Sequence, residues 1–202
     1  VIGAGGLGSP AALYLASGGI GRITLVDDDT VDLTNLQRQV MHTTERIGQP
    51  KVESGRAALL AINPEIEVVA LNERAGPERL LALARTATVV LDCSDNFATR
   101  HAVNRACVAA GVPLVSGAAI RFDGQLSVFD PRQPDAPCYA CLFPEDSGFE
   151  DVACSTMGGF APLVGIVGAV QAAEAMKLIA GIGEPLVGRL LMLDGKFMEW
   201  TG

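Results

Sequence analysis

The segment VIGAGGLGSP, residues 1–10, decides the fold of this chain. It passes from a strand-like Val-Ile pair into the pattern G-x-G-x-x-G (Gly3, Gly5 and Gly8) and then into Ser-Pro, which commonly opens a helix. Glycines at this spacing permit a tight turn and let backbone N–H groups approach a phosphate at the helix N-terminus. Asp27 ends the next apolar run, about where dinucleotide-binding folds place an acid on a ribose hydroxyl. The segment therefore predicts nucleotide binding, with a solvated strand end as the simpler interpretation of Asp27.

Strand and helix signals alternate outward from this segment. Apolar runs predict strands at residues 23–26, 66–71, 88–91 and 113–115, with helices to Ser17, over Lys51–Ile62 and Arg79–Ala84, and up to Gly111. Such alternation predicts a parallel sheet with helices on both faces. Asp123-Gly124 and Asp194-Gly195 each lie between apolar runs, which predicts hairpin turns, and a helix is expected over Pro162–Ala180. The expected fold class is α/β, a doubly wound, Rossmann-like, mainly parallel sheet extended by antiparallel hairpin strands, in a single domain of residues 1–202.

Composition narrows the function classes. Hydrophobic residues make up 49% of the 202 and the net charge is −8, with no Lys/Arg-rich run, so we expect a sizeable core and no nucleic-acid partner. The longest apolar stretch, Met157–Val170, is interrupted by glycines and a proline and is too short for a membrane span, so no membrane partner is expected. Five cysteines form an odd set, with Cys93 inside an apolar run, which favours a reducing cytoplasm.

The segment after Asp27 argues against the first hypothesis, an NAD-linked dehydrogenase. Residues 27–39 are long, polar and irregular where a short connection would suffice. Arg38 and Lys51 offer a guanidinium fork and a point cation, which a triphosphate needs and a nicotinamide does not. The alternative is that both are ordinary surface cations.

A second polar cluster follows the predicted strand 88–91. Asp92-Cys93-Ser94-Asp95-Asn96 falls at the strand's carboxyl end, where α/β sheets bind ligands and where a carboxylate can hold Mg²⁺ against phosphate oxygens. We expect Asp95 to be that carboxylate, with Asp92 as the alternative, while Asp95 or Asn96 also caps the next helix. His42 and His101 show no metal or triad spacing and are interpreted as surface or structural residues.

Together these segments resemble the ThiF/MoeB/HesA family of adenylyltransferases, relatives of the ubiquitin-activating enzymes. The resemblance covers nearly the whole chain in order, through GAGGLGSP, LVDDDTVDLTNLQRQ, GQPKVES, LDCSDN, VSGAAIRFDGQ, PCYACL and CSTMGGFAPLVG. It implies attack of the C-terminal Gly-Gly carboxylate of a small ubiquitin-like sulfur carrier on the α-phosphorus of ATP, giving an acyl-adenylate and pyrophosphate. VSGAAIR favours the molybdopterin (molybdenum cofactor) branch, and the thiamine carrier stays open as the alternative. An inactive carrier-binding subunit is the alternative from another class, but the full set of phosphate-contacting residues argues against it.

The resemblance also implies roles for individual residues. The glycine loop, with Gly6 against the phosphates, would bind the nucleotide, together with Asp27 at the ribose and Asp29 beside it in the sequence. Asn35 and Arg38 would contact the triphosphate, and Thr34, Leu36 and Gln37 of the same segment are further nucleotide-binding candidates. Lys51 would stabilise charge on the α-phosphate and the leaving group, and Asp95, beside Asn96, would hold Mg²⁺. Cys154 would accept the activated carrier as a thioester or a persulfide-linked acyl group, with a small, partly buried structural cysteine as the equal alternative.

The pair Cys138 and Cys141 predicts half of a structural zinc site, because Cys-x-x-Cys places two thiolates on one tetrahedral metal. The alternative is a redox dithiol. Redox pairs of this kind lie at a helix N-terminus, whereas Pro137 and Pro144 predict a loop here. The resemblance further implies a homodimer and a cysteine desulfurase or rhodanese-type sulfur donor. It also leads us to expect an N-terminal segment before Val1 and a C-terminal tail with the other two zinc ligands.

Overall fold

A computed structural model describes residues 1–146 and 160–202. Its strands are β1 (Arg22–Val26), β2 (Glu67–Leu71), β3 (Val90–Asp92), β4 (Leu114–Ile120), β5 (Asp123–Phe129), β6 (Leu190–Asp194) and β7 (Glu199–Thr201). Its helices are α1 (Gly8–Ser17), α2 (Lys51–Ile62), α3 (Pro77–Thr86), α4 (Phe97–Ala110), α5 (Tyr139–Leu142) and α6 (Ala161–Ala180). Short 3₁₀ turns at Leu33–Asn35 and Thr44–Arg46 interrupt the long connection between β1 and α2.

The N-terminal residues join two groups of strands into one sheet. Strands β1 and β2 pair in parallel, and a second group runs in the order β3-β4-β5-β6-β7. Ile2 forms parallel bridges to both Val26 and Asp92, so the segment before the glycine loop lies between β1 and β3. The sheet is parallel as far as β4 and antiparallel from β5 onward, which confirms the predicted fold class. The glycine loop therefore leaves the sheet between two parallel neighbours, at the carboxyl ends of the strands, where such sheets bind ligands.

Local signals account for both ends of α4 and for the end of α6. The Asn96 side chain accepts a hydrogen bond from the Thr99 N–H at 2.8 Å and caps α4, as one of the two predicted caps, and α4 ends at Gly111 with φ 66°. Helix α2 spans the predicted residues, and α6 ends at Gly181 with φ 65°. A left-handed residue directly after a helix is the position at which glycine costs least.

The first hairpin turns at a different place from the one predicted. Strands β4 and β5 pair as far as Ile120 and Asp123, so the turn is Arg121-Phe122. Gly124 lies inside β5, where an added Cβ would be 2.8 Å from the Val167 side chain of α6. The glycine is needed for close helix–sheet packing, and the prediction of a turn at Asp123-Gly124 is wrong.

The second hairpin is partly as predicted. Asp194 is the last residue of β6 and pairs with Glu199, and the turn covers residues 195–198. Asp194 Oδ1 accepts the Lys196 N–H at 2.8 Å, so the aspartate side chain stabilises the turn from its N-terminal side. The strand that follows, β7, therefore begins only at Glu199.

Helix α6 is the core helix of the antiparallel half. An added Cβ on Gly168 would lie 2.3 Å from the Leu7 carbonyl, so α1 and α6 pack backbone against backbone. By length and composition alone, α6 could cross a membrane. In this fold, its buried Gln171 donates to the Asp92 and Val115 carbonyls at 2.8 and 3.2 Å, and Glu174 accepts the Leu186 N–H at 2.8 Å. These polar contacts attach the helix to the sheet and to the segment that precedes β6.

Candidate active site

A cavity of about 1130 Å³ opens at the carboxyl ends of the central strands. Most of the residues predicted for the nucleotide lie on its walls: Gly3, Gly5, Gly6, Asp27, Asp29, Arg38, Lys51, Asp95 and Asn96. The cavity continues past this group along β5, β6 and β7, where Asp123, Gln125, Met192, Asp194 and Glu199 line it. It therefore extends beyond the residues that were predicted to bind the nucleotide.

The glycines of the loop divide into two functions. Gly3 has φ 97°, and a Cβ there would lie 2.6 Å from the Cys93 carbonyl oxygen, while a Cβ on Gly8 would lie 1.9 Å from the Gly3 carbonyl oxygen. These two glycines are required by packing, and Gly8 does not line the cavity. Gly5 and Gly6 meet only side chains, those of Gln39 and Val164. The open backbone that a phosphate can approach is therefore at Gly5 and Gly6.

Asp27 holds the glycine loop in place. Its Oδ2 accepts the Ala4 N–H at 2.8 Å and its Oδ1 accepts the Asp29 N–H at 2.9 Å. Each carboxylate oxygen has capacity for a further hydrogen bond, so a ribose hydroxyl at this wall can still donate to it. Asp27 is thus an ordered acceptor rather than only a solvated strand end.

Lys51 is buried, with 5% of its surface exposed. Its Nζ lies 3.0 Å from Asp29 Oδ2, and its backbone N–H donates to the Asp29 carbonyl at 2.9 Å. The interpretation of Lys51 as an ordinary surface cation is therefore wrong. An ammonium has three donors, so Lys51 keeps donors for a ligand while Asp29 fixes its position.

The predicted triphosphate segment acts largely through one residue. Arg38 lines the cavity, and its two terminal nitrogens donate to Asn35 Oδ1 at 3.1 Å and to Gln37 Oε1 at 3.2 Å. Thr34, Asn35, Leu36 and Gln37 do not line the cavity. The Thr34 N–H donates to Asp32 at the start of the first 3₁₀ turn. The segment thus orients the Arg38 guanidinium. The four residues before Arg38 do not themselves contact the cavity.

Gln39 was missed by the sequence prediction. It lines the cavity, is 5% exposed, and its Oε1 has no hydrogen-bond partner among the described residues. Its amide lies over Gly5. The signal available was its position directly after Arg38, but an irregular segment has no periodicity that shows which polar side chain turns inward.

Asp95 fits a magnesium ligand better than Asp92 does. Asp95 is exposed on the cavity wall, whereas Asp92 is fully buried and its Oδ1 accepts the Ser94 N–H at 3.0 Å and the Ser94 hydroxyl at 2.6 Å. Carboxylates of Asp27, Asp28 and Asp29 form a second acidic group within 4.8 Å of one another on the same cavity.

Burial raises the pKa of the Cys93 thiol, next to Asp92, to about 12, so this cysteine is not a nucleophile.

The two cysteines of the Cys-x-x-Cys motif lie on a short helix. Cys138 precedes α5 as its N-cap, and Cys141 is inside α5, so the prediction of a loop between Pro137 and Pro144 is wrong. Their sulfur atoms are 3.6 Å apart. Burial raises the pKa of Cys138, but hydrogen bonds from the Asn104 side chain and the Cys141 backbone outweigh it, so the pKa is lowered overall. Cys154 lies outside the described residues.

Both histidines are buried, which confirms a structural interpretation over a surface one. His101 packs against the Tyr139 ring in a T-shaped contact, beside the Cys138 turn. His42 bonds the glycine loop and α2.

Comparison with known proteins agrees with this geometry. The sequence profile described as "ThiF family" matches residues 1–202. The chain is 49% identical to the molybdopterin-synthase adenylyltransferase of Escherichia coli (strain K12), over 96% of this chain and 77% of the relative. It is 47% identical to the sulfur carrier protein ThiS adenylyltransferase of the same organism, over 99% of this chain and 78% of the relative.

A solved structure shows the same fold. The crystal structure of E. coli MccB with ATP superposes with a TM-score of 0.82 at 26% identity, covering 99% of this chain and 61% of that one. The chain thus spans about three fifths of the solved protein. The profile match over the whole chain and the two close relatives lead to one conclusion: this chain belongs to the ThiF family.

Proposed function

We propose that this protein is an ATP- and Mg²⁺-dependent adenylyltransferase that activates the C-terminal Gly-Gly carboxylate of a small ubiquitin-like sulfur carrier. One observation carries the proposal. A single cavity brings together the open glycine backbone, an ordered ribose acceptor, two fixed cations and an exposed carboxylate: Gly5, Gly6, Asp27, Arg38, Lys51 and Asp95. The names of the two close relatives support the same activity.

The chemistry requires alignment and charge neutralisation more than proton transfer. The attacking group is already a carboxylate, so no general base is needed. The backbone at Gly5 and Gly6 would orient the phosphates, while the Arg38 guanidinium and the Lys51 ammonium would neutralise charge that grows as pyrophosphate leaves. Their positions are fixed before substrate arrives by Asn35, Gln37 and Asp29.

Asp95 is the side chain that would hold Mg²⁺, because it is exposed on the cavity wall. When bound there, the cation would offset phosphate charge and favour departure of pyrophosphate. The extension of the cavity along β5–β7 would receive the extended C-terminal residues of the carrier.

We propose the molybdopterin-synthase carrier as the partner, and the thiamine carrier as the alternative. The two close relatives are named for these two pathways and differ by only two percentage points in identity, so similarity alone does not select one. A homodimer and a cysteine desulfurase or rhodanese-type sulfur donor are part of the same proposal. The cytoplasm is the proposed location, supported by the free thiols of Cys93, Cys107, Cys138 and Cys141.

ATP–pyrophosphate exchange with each purified carrier tests the proposal directly. We expect Mg²⁺-dependent exchange with the molybdopterin-synthase carrier and weaker exchange with the thiamine carrier. Calorimetry with Mg²⁺-ATP and with NAD⁺ is the control for the dehydrogenase hypothesis. Tight NAD⁺ binding without ATP binding would overturn the proposal, and ATP binding without exchange would indicate a carrier-binding subunit.

We further propose that Cys138 and Cys141 supply half of a structural zinc site. Their sulfur–sulfur distance of 3.6 Å is close to the edge of about 3.8 Å that two thiolates span on tetrahedral zinc. Metal analysis of the purified full-length protein should find one zinc per chain. Its absence, with reversible oxidation of the pair, would favour the redox dithiol. The role of Cys154 as acceptor of the activated carrier stays a prediction.

A further inference from the structure

His42 lies between the glycine loop and α2, both of which contribute residues to the wall of the cavity. It is 6% exposed. Its Nε2 is 2.8 Å from the Ala4 carbonyl oxygen in the glycine loop, and its Nδ1 is 2.9 Å from the Ser54 hydroxyl of α2. The imidazole thus spans from the phosphate-facing loop to the helix that begins with Lys51.

The partners determine the tautomer of His42. A carbonyl oxygen can only accept, so Nε2 carries the hydrogen and donates it to Ala4, and Nδ1 is then the acceptor of the Ser54 hydroxyl. Arg46 donates to the same Ser54 oxygen at 3.1 Å and to the Ser54 carbonyl at 2.9 Å. The hydroxyl hydrogen is therefore directed toward His42, and the neutral ring has both nitrogens satisfied.

The Ala4 residue is held on both sides by this arrangement. Its N–H donates to Asp27 at 2.8 Å, and its carbonyl accepts from His42 at the same distance. Gly5 and Gly6 follow at once and form the open backbone of the cavity wall. Ser54 lies one helical turn after Lys51 on α2. The same ring therefore also holds the glycine loop at a fixed position relative to the buried Lys51 ammonium.

We propose that His42 is a positioning residue that fixes the glycine loop relative to Lys51, and that it sets the affinity for the ATP triphosphate. This inference rests on the proposed function. His42 does not line the cavity, so its effect would pass through Ala4 and Ser54. Losing it should therefore raise KM for ATP more than it lowers kcat, which is the reverse of what is expected for Lys51.

The arrangement also predicts a pH dependence. Burial lowers the pKa of His42; the Ala4 hydrogen bond and Asp27 oppose this shift, while Lys51 and Arg46 add to it. Protonation would turn Nδ1 from an acceptor into a donor facing Ser54, whose oxygen already accepts from Arg46. The contribution of the neutral ring to folding stability is complete above the unfolded pKa of about 6.5 and falls between there and the lower folded pKa. In the folded protein the ring itself is protonated only as the pH falls through that lowered pKa.

Three variants test the proposal: His42→Leu, His42→Gln and, as a matched control, His101→Leu. His101 is the other buried histidine and lies on α4 beside the Cys138 turn. We expect His42→Leu to raise KM for ATP about tenfold, as for loss of one buried hydrogen bond, with kcat changed less than about threefold. Glutamine can donate to the Ala4 carbonyl and should restore most of the affinity, whereas His101→Leu should lower the melting temperature without changing KM.

Calorimetry with Mg²⁺-ATP, repeated from pH 8 to about pH 5.5, gives a second measurement that does not need the carrier. Wild type and His42→Gln share the titration of the nucleotide, so only wild type should show an extra loss of affinity, which should appear as the pH falls toward the lowered pKa of His42, below the ordinary value of about 6.5. A folded His42→Leu protein with the wild-type KM for ATP, or a folded His42→Gln protein with a KM as high as that of His42→Leu, would overturn the inference. Failure of the proposed function would appear instead in wild type itself, as absence of ATP binding and exchange.

Discussion

Lys51 and Arg38 are cations whose positions are set by their neighbours before any substrate binds. Asp29 holds the Lys51 ammonium at 3.0 Å, and Asn35 and Gln37 hold the Arg38 guanidinium. A preorganised cation is worth most where charge develops during the reaction, since it needs no rearrangement at that moment. The pair is therefore better suited to stabilising departing pyrophosphate than to binding ATP in the ground state.

Removing either cation should lower turnover far more than it lowers ATP affinity. For Lys51→Ala and Arg38→Ala we expect kcat to fall about 10²–10³-fold, the usual effect of losing one such group, with a much smaller change in the dissociation constant of Mg²⁺-ATP. Exchange kinetics and calorimetry measure the two quantities separately. Arg56→Ala, on an exposed part of the same helix as Lys51, is the control. An unchanged kcat in both variants would contradict the assignment.

For single residues, the sequence could identify candidate site residues but could not show which way each side chain faces. Lys51 and Arg38 follow from residue type and motif, whereas the burial of Lys51 depends on the path of the 27–51 connection. The choice between Asp92 and Asp95 depends on which way the chain turns after β3, since one carboxylate faces Ser94 and the other the cavity. Without the path of the 27–51 connection, the sequence could not show that Gln39 faces the cavity and Gln37 does not.

Among the elements, α6 contributes a side chain that the sheet itself requires. The Gln171 amide donates to the carbonyls of Asp92 and Val115, one on β3 and one on β4, next to the turn that carries Asp95. Gly117 leaves the space for it, because a Cβ there would lie 2.4 Å from the Gln171 side chain. A helix thus completes the hydrogen bonding of two strands where they separate.

Replacing Gln171 by leucine should destabilise the fold strongly. Two buried carbonyls each lose one hydrogen bond, and such a bond typically contributes about 0.5–1.5 kcal/mol. Urea unfolding should show a lower midpoint with an unchanged slope. Gln133→Leu, in an exposed loop, is the control. A midpoint equal to that of wild type would show that water or a rearranged neighbour replaces the amide.

The ends of helices and strands could be predicted where a local requirement alone determines the residue. Asn96 and Gly111 mark the ends of α4 because capping and a left-handed residue are local requirements. Asp123-Gly124 misled the prediction because Gly124 is required by the distant Val167 and not by a turn. The helix at Cys138 was unpredictable for a similar reason: its Tyr139 N–H donates to Asn104 of α4 at 3.0 Å, a tertiary contact that no local pattern contains.

For the whole molecule we predict a homodimer in which α6 contributes apolar surface. Only 39% of its most apolar stretch is buried within the chain. Light scattering at micromolar concentration should therefore give twice the chain mass of 21.0 kDa. Ala173→Glu, on the exposed face of α6, should yield a monomer, while Ala57→Glu, exposed on α2, should not. A wild-type monomer at micromolar concentration would count against the dimer.

The position of residues 1–3 in the middle of the sheet has a consequence for the order of folding. The Ile2 N–H donates to the Leu91 carbonyl and the Gly3 N–H to the Val26 carbonyl, so this short strand pairs with residues far along the chain on one side and nearer on the other. Contacts of long sequence separation close large loops and are slow to form. We expect the pairing of this strand with β1 to form early and its pairing with β3, which lies far along the chain, to form late. Because the same strand leads into the glycine loop, a nascent or partly unfolded chain that lacks β3 holds the phosphate loop from one side only, and full nucleotide binding is expected only after β3 has paired.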